Sequence, residues 1–323
     1  MTIPAFRPVI QAVFAGMLIL FAGACAQPAG LIPENQAAPV FPVASVENSQ
    51  TLALNRFVAF GDWGAGTSFQ KQVATQVIHD YEKSPFATVL MLGDNIYPQG
   101  DVNKSGKAYF TRMYAPLIQA RVRFVVALGN HDVLFGHREE QLAFFGMPGR
   151  YYEVKQGPFG FFVLDTNTFA NDTPQKAWLA KVLNASRQPW KIVLGHHPIL
   201  SSGYHGPNEA LDKALSPLLR KYGVALYLAG HSHQYERFKP VGGVQYLVSG
   251  GGGAYLHSFI KAQPNSLVRL KTHHFLSFTA HDKVLSMEAV DSAGKLIDKA
   301  SWTLPAAGVE QPENRRYKEE GDQ

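Results

Sequence analysis

An apolar hexapeptide runs directly into a glycine and two histidines in the stretch Val224-Ala225-Leu226-Tyr227-Leu228-Ala229-Gly230-His231-Ser232-His233. A run of this length and composition is typical of a buried strand in a parallel sheet. Residues two apart in an extended chain project to the same side, so His231 and His233 would point the same way at the carboxyl end of that strand. Open α/β sheets bind their ligands at that end. Taken alone, the pair fits a metal site and a solvated surface loop equally well.

Four other apolar runs end in the same manner, with a glycine followed at once by a residue that can bind a metal ion. These residues are Asp62, Asp94, Asn130 and His196. Each glycine permits a sharp turn and a close approach of the backbone to a ligand. Packing alone does not explain five such endings after buried strands, and together they predict one site at a shared sheet edge.

The side chains of this set are carboxylates, an amide and imidazoles, without a thiolate. Such a mixture suits ions such as Fe, Mn or Zn. Because a carboxylate can bridge two ions, the set predicts a two-metal site. Two-metal sites activate a water molecule and hold the oxygens of a transferring phosphoryl group.

Predicted strands alternate with predicted helices between residues 55 and 229, and further strands follow. This order predicts an α/β fold in which two mixed β-sheets form a sandwich flanked by helices. Residues 98–107 are predicted as a polar loop, followed by a helix near 108–118. The later strands, assigned to a second sheet, are predicted at 244–248, 275–280, 284–290 and 301–304.

The first 26 residues have the pattern of a secretory signal peptide, with Arg7 before the apolar segment 9–22 and small residues at 23–26. Two processing routes stay open. Cleavage after Ala26 would release a soluble protein, whereas a lipobox-like reading would make Cys25 a lipidated terminus. Either route predicts an exported protein, periplasmic or secreted, with membrane contact only if Cys25 is lipidated.

The remaining segments are predicted as a flexible linker at 27–50, a catalytic domain at 51–304 and a disordered tail at 305–323. The single cysteine excludes an intramolecular disulfide. The net charge of +5 over 323 residues is modest and no dense Lys/Arg stripe is present, so the sequence gives no support to nucleic-acid binding.

The five strand endings resemble, in order, the five motif blocks of the calcineurin-like metallophosphoesterases. They are most similar to the purple acid phosphatases, particularly the small tartrate-resistant type. Many relatives carry Asp-x-His in the first block, but here Gly64 takes the place of the histidine. Tyr97, three residues after Asp94, matches the tyrosinate that gives purple acid phosphatases their colour. A purely structural role for Tyr97, as a buried aromatic beside Pro98, remains the alternative.

The resemblance implies that an Fe(III) ion and a second divalent ion, Fe, Zn or Mn, share the site. The implied ligands of the ferric ion are Asp62, Asp94, Tyr97 and His233. Asp94 would bridge to the second ion, whose other implied ligands are Asn130, His196 and His231.

His131 and His205 are the implied catalytic residues, as proton donors or phosphate contacts. For His205, a role as an ordinary residue of the rim loop stays equally open. His197 is expected to point away along its strand and to have a supporting or structural role. Asp132 is expected to orient His131 by a hydrogen bond, and Asp165 is expected to act as a cap or in a turn.

The resemblance therefore implies an exported acid phosphatase that hydrolyses small phosphomonoesters by attack of a metal-bound hydroxide, without a stable protein partner. One alternative is a phosphodiesterase or nucleotidase of the same superfamily. Another is a metal-loaded binding or scaffolding protein that has lost catalysis, although every expected ligand position is filled. The sequence has no convincing long insertion near the site that could form a repressive loop, so constitutive activity is expected.

Overall fold

Two β-sheets lie face to face and are joined by aromatic side chains. In the computed structural model, which describes residues 52–304, Phe57 of one sheet packs edge-on against Phe159 and Phe161 of the other, with ring centroids 4.9 and 5.1 Å apart. Phe57 also stacks on Phe278 of its own sheet at 4.4 Å. All four side chains are fully buried, so the apolar runs of the sequence form the core between the sheets. The predicted sandwich of two mixed sheets is confirmed.

Along the chain, the strands belong first to one sheet, then to the other, and finally to the first again. In chain order they are β1 (Arg56–Phe60), β2 (Thr88–Met91), β3 (Arg123–Val126), β4 (Tyr152–Gln156), β5 (Phe159–Val163), β6 (Trp190–Leu194), β7 (Leu226–Ala229), β8 (Tyr235–Phe238), β9 (Gln245–Ser249), β10 (Ser266–Leu270), β11 (His274–His281), β12 (Val284–Asp291) and β13 (Leu296–Thr303). One sheet has the order β13-β12-β11-β1-β2-β3, and the other has the order β10-β8-β9-β7-β6-β5-β4.

Helices connect the parallel strands. They are α1 (Ser68–Lys83), α2 (Val102–Gly106), α3 (Ala115–Gln119), α4 (Asn130–Val133), α5 (Arg138–Phe145), α6 (Thr173–Ala185) and α7 (Glu209–Lys221), with a π-helical turn at Lys107–Thr111 and a 3₁₀ turn at Phe169–Asn171. Helix α7 shows how the sequence sets these elements. Asn208 caps its first turn by accepting a hydrogen bond from the Leu211 amide at 3.0 Å, and Leu211, Leu215 and Leu219 form its buried face.

Parallel pairing brings the carboxyl ends of the inner strands to one edge of the sandwich. Strands β1, β2 and β3 are parallel to one another, and so are β5, β6, β7 and β9. The Gly61 amide, just after β1, donates to the Ser249 carbonyl at the end of β9 at 2.8 Å. The two sheets are therefore tied together where the glycine-ended loops emerge.

Several sequence predictions for the elements were wrong. The late strands do not form a separate sheet, because β9 joins the sheet of β7 whereas β11, β12 and β13 extend the sheet of β1. Strand β8 was missed because it carries the charged residues Glu236 and Arg237. Glu236 is nevertheless fully buried, with its carboxylate bound to the Ser202 amide and the Ser266 hydroxyl at 2.8 and 2.7 Å. Strand β10 was also missed.

The predicted loop at 98–107 contains a helix. The Asp101 carboxylate accepts a hydrogen bond from the Lys104 amide at 3.0 Å, and this cap starts α2 at Val102. The helix predicted near 108–118 is divided between the π-helical turn and α3. None of the helices within residues 52–304 has the length and apolar character needed to cross a bilayer. The predicted signal peptide, linker, Cys25 and tail lie outside the described residues.

Candidate metal centre

The glycine-ended loops after β1, β2, β3, β6 and β7 converge at one edge of the sandwich. The Asp62 amide donates to the Gly93 carbonyl at 3.0 Å, and the Gly230 amide donates to the His196 carbonyl at 3.0 Å. The His231 amide donates to the Asp62 carboxylate at 2.8 Å. The loop after β3 is tied in by the His131 amide, which donates to the Asp94 carboxylate at 3.0 Å. These hydrogen bonds join loops that lie far apart in the sequence, and they bring all seven predicted metal ligands together.

One group of side chains surrounds the hydroxyl of Tyr97. This oxygen lies 2.7 Å from Asp94 Oδ2, 3.1 Å from Asp62 Oδ1 and 3.0 Å from His233 Nε2. The ligand atoms of Asp62, Asp94 and His233 all lie within 4.8 Å of one another, which is the spacing of a potential metal site. These four residues are the ones that the resemblance assigns to Fe(III).

A second group surrounds the Nε2 atom of His196. That nitrogen lies 3.0 Å from Asn130 Oδ1, 3.2 Å from His231 Nδ1 and 3.4 Å from Asp94 Oδ1. On the far side of the ring, His196 Nδ1 donates to the Leu92 carbonyl at 2.9 Å, which leaves Nε2 directed into the site. Asp94 thus contributes one oxygen to each group, as a bridging carboxylate would.

The donor set fits metal ions, because acceptor atoms outnumber hydrogens in the first group. The single hydrogen of the Tyr97 hydroxyl faces three acceptors, and His233 carries its own hydrogen on Nδ1, which donates to the Tyr255 carbonyl at 2.6 Å. Burial and the carboxylates of Asp62 and Asp94 raise the pKa of Tyr97 well above 10. A tyrosinate at this position therefore requires a cation beside it.

The carboxylates of Asp62 and Asp94 favour positive charge in both groups of side chains. Although burial alone would lower it, the pKa of His196 is raised to about 9 by Asp94. Asp62 likewise raises the pKa of His233 against the effect of burial. The carboxylates therefore favour a cation at each imidazole, whether it is a proton or a metal ion.

The two predicted catalytic histidines lie on different sides of this centre. The ring of His131 is 4.6 Å from that of Tyr97, and its Nδ1 donates to the Pro98 carbonyl at 2.6 Å. The exposed His205 stacks on His231 with ring centroids 4.1 Å apart. His205, His231 and His197 line a cavity of about 360 Å³ next to the second group.

Two expectations about neighbouring residues were wrong. His197 does not point away from the site, because its ring lies 4.6 Å from that of His231, although its bond from Nδ1 to the Thr166 hydroxyl at 2.9 Å fits the expected supporting role. Asp132 does not bond to the His131 ring. Its carboxylate instead accepts N–H donors from its own loop and from the loop after β2, namely the Gly129 amide at 2.8 Å and the Asn95 amide at 2.9 Å.

Asp165 has the expected turn role. Its carboxylate accepts hydrogen bonds from the amide and side chain of Asn167 at 3.1 and 2.9 Å, and it pairs with Arg150 at 3.3 Å.

Gly64 occupies the position at which the resemblance expects a histidine in many relatives, and the structure leaves no room for a side chain there. A Cβ atom at Gly64 would lie 1.6 Å from the Asn95 carbonyl oxygen. The Tyr97 amide donates to the Gly64 carbonyl at 2.8 Å, so the close packing of segment 95–97 on Gly64 also positions Tyr97. The segment that excludes a side chain at Gly64 is therefore the segment that carries Tyr97.

Sequence reasoning missed one histidine of the centre. His257 stacks on His233 with ring centroids 3.9 Å apart and planes 12° from parallel. It belongs to no motif block. The available signal was the glycine run 250–253 that follows β9, because this strand also ends at the edge where the other loops emerge.

A sequence profile of the family described as calcineurin-like phosphoesterase matches residues 55–235, more than half of the chain. The protein therefore belongs to the calcineurin-like phosphoesterases. It is similar to tartrate-resistant acid phosphatase type 5 of Mus musculus, with 29% identity over 76% of this chain and 89% of the relative. It is also similar to purple acid phosphatase 7 of Arabidopsis thaliana, with 30% identity over 78% of this chain and 87% of the relative.

A solved structure shares the fold. The purple acid phosphatase from yellow lupin (Lupinus luteus) seeds has the same fold, with a TM-score of 0.67 at 24% identity over 77% of this chain and 53% of the lupin chain. The resemblance predicted from the motif blocks is confirmed. The chain is a phosphoester hydrolase that resembles the purple acid phosphatases.

Proposed function

We propose that this protein is an exported acid phosphatase that hydrolyses phosphomonoesters at a centre of Fe(III) and a second divalent ion, Fe, Zn or Mn. The observation that carries the proposal is the position of the Tyr97 hydroxyl, within 3.1 Å of Asp62, Asp94 and His233. When bound, the two ions supply Lewis acidity for phosphoryl oxygens and lower the pKa of a water molecule.

The protein's own residues then bind and orient the substrate. The Nδ1 hydrogen of His131 is held by the Pro98 carbonyl, which leaves Nε2 available for a phosphate oxygen or for the oxygen of the leaving group. His205 approaches from the opposite side, beside the cavity of about 360 Å³. A protonated imidazole at either position gives the departing alkoxide its proton, and no covalent intermediate with the protein is required.

Monoester specificity is part of this proposal, and it rests on the acid phosphatase names of the relatives. The kcat/KM for a phenyl phosphate monoester is expected to exceed the kcat/KM for the matching bis-phenyl phosphate diester. A preference for the diester would favour the phosphodiesterase alternative and would leave the metal centre intact. Protein that holds both ions but turns over neither ester would favour a binding role.

Export is proposed from the signal-peptide pattern of residues 1–26. We expect the mature protein outside the cytoplasm with an N-terminus near Gln27. Mass spectrometry of the purified protein distinguishes this terminus from a lipidated Cys25. Retention in the cytoplasm with Met1 intact would contradict the proposal.

The central test is the visible absorption spectrum of the purified protein beside that of Tyr97→Phe, with metal content measured on the same samples. A purple band that needs iron and disappears in Tyr97→Phe would support the tyrosinate–Fe(III) assignment. The substitution removes only the hydroxyl, so the ring contact with His131 is retained as an internal control. A colourless wild type that holds two Mn or Zn ions would overturn the ferric assignment.

A further inference from the structure

The segment 255–257 holds His233 from outside the metal centre at three points. The Tyr255 carbonyl accepts the Nδ1 hydrogen of His233 at 2.6 Å, and the His257 amide donates to the His233 carbonyl at 3.1 Å. The third contact is the face-to-face stack of the His257 and His233 rings at 3.9 Å. Together these contacts fix the position, the tilt and the tautomer of the His233 ring.

The far side of the same ring faces the site. His233 Nε2 lies 3.0 Å from the Tyr97 hydroxyl and 3.2 Å from Asp62 Oδ1. A ligand imidazole must keep this nitrogen directed at the ion, and the groups that hold its other side set how well it does so. The carbonyl of Tyr255 holds the ring at Nδ1 and the Tyr97 ring meets it edge-on, whereas the stack with His257 covers its flat face and so resists rotation of the ring plane.

We propose that His257 is a positioning residue whose flat face fixes the ring plane of His233 and thereby sets the affinity and the spectrum of the Fe(III) site. This inference rests on the proposed function. His257 makes no side-chain hydrogen bond among the described residues, and its buried Nδ1 has no partner there. The contribution of His257 is therefore assigned to the contact that its ring face makes with His233.

A comparable arrangement backs the other histidine of the same strand end. His205 stacks on His231 at 4.1 Å, and the His205 and His257 rings are 5.3 Å apart. Each of the two histidines that follow β7 thus has an imidazole against its face. The ring that backs His231 belongs to His205, which is also a predicted substrate contact. The ring that backs His233 belongs to His257, and His233 is the residue assigned to iron.

The test compares His257→Ala with His257→Phe, because phenylalanine keeps a flat aromatic face and lacks both nitrogens. His281→Ala serves as the control for loss of an imidazole, since the His281 side chain is 87% exposed. Each protein is purified with its metals and titrated with a chelator. Bound iron is followed by the visible band and, independently, total metal is followed by elemental analysis.

We expect His257→Ala to lose its metal at a chelator concentration about 10–100-fold below that of the wild type, with a shifted visible band. His257→Phe and His281→Ala should keep the wild-type resistance and band position. The proposal is overturned if His257→Ala matches the wild type. It is also overturned if His257→Phe fails as badly as His257→Ala, because a ring nitrogen would then be the active group.

The outcome for the wild type separates this inference from the proposed function. A wild type without a purple band would overturn the ferric assignment. Elemental analysis would still decide the positioning role, because the three contacts to His233 act on whichever ion that residue binds. A purple wild type combined with an unaffected His257→Ala would overturn the positioning role alone.

Discussion

Replacement of Asp132 by asparagine should destabilise the protein, because the Asp132 carboxylate joins two loops of the metal centre to helix α5. Its Oδ1 lies 2.9 Å from the Asn95 amide, 3.0 Å from Gln141 Nε2 and 3.3 Å from the Ile96 amide. Its Oδ2 lies 2.8 Å from the Gly129 amide and 2.9 Å from Asn95 Nδ2. Every one of these partners is an N–H donor.

The magnitude follows from the geometry of the substitution. An asparagine side chain has the same shape, but one of its two terminal atoms is an NH₂ group that accepts nothing. In either orientation at least two buried donors lose their acceptor, and each such loss costs about 1–3 kcal/mol. Asp132→Asn should therefore lower the free energy of unfolding by about 2–6 kcal/mol, a large share of the roughly 5–15 kcal/mol of a typical protein.

Urea unfolding at pH 8 measures this difference. Burial and the Asp94 carboxylate raise the pKa of Asp132 to about 7, so at pH 8 the wild-type side chain is ionised. Asp282→Asn is the matched control, because the Asp282 side chain is 84% exposed and asparagine tolerates its positive φ of 52°. The control should lie within about 0.5 kcal/mol of the wild type.

Two results would refute the reasoning about Asp132. One is an unfolding free energy of Asp132→Asn within about 0.5 kcal/mol of the wild type, which would mean that the donors find other acceptors. The other is unchanged stability together with a lowered kcat. That result would restore the role expected from the sequence, in which Asp132 acts through His131.

Three further outcomes are expected. Phe57→Ala should cost about 3–5 kcal/mol in urea unfolding, because the ring joins both sheets, and a loss below 1 kcal/mol would contradict that role. Gly129→Ala should reduce bound metal per chain in elemental analysis and lower the urea midpoint, because its Cβ would lie 2.1 Å from an Asp94 carboxylate oxygen and 2.2 Å from the Asp94 backbone nitrogen, and unchanged metal content would contradict this. Burial tends to raise the pKa of Asp298, but the Arg237 guanidinium holds it below its usual range. The folded-state pKa is thus depressed, so the advantage of the wild type over Asp298→Asn in melting temperature should persist above about pH 4 and fade below it. A difference that grew on acidification would have the wrong sign.

The sequence predicted the strands that position the site because these strands are continuous apolar runs. Strand β7 is buried at every position, so its composition alone distinguishes it. Strand β8 has the opposite character, since the charge of Glu236 is accommodated by partners 30 and 34 residues away in the chain. Distant partners of this kind leave no local pattern. The division of late strands between the sheets is equally non-local, because it depends on which edge each strand meets.

The ligand set was predictable for a related reason, and the surrounding residues were not. Asp94 and Tyr97 are three residues apart and their contact is local. His257 and Asp132 act through residues from other strands, so their partners follow from the folded geometry and not from spacing. The assignment of Asp132 to the adjacent His131 failed because adjacency in sequence was taken for contact in space.

The five motif blocks are interdependent, and this is why their joint occurrence is more informative than five separate turns. A Cβ on Gly230, which belongs to the last block, would lie 2.5 Å from an Asp62 carboxylate oxygen in the first. Gly129 makes room for Asp94 and Gly93 makes room for His196 in the same way, so three of the five glycines clear space for the ligand of a different block. Asp62, Asp94 and His231 also have positive φ values of 58°, 52° and 66°, a conformation that is costly for residues other than glycine. Loops that met no shared centre would have no reason to retain both the strain and the missing side chains.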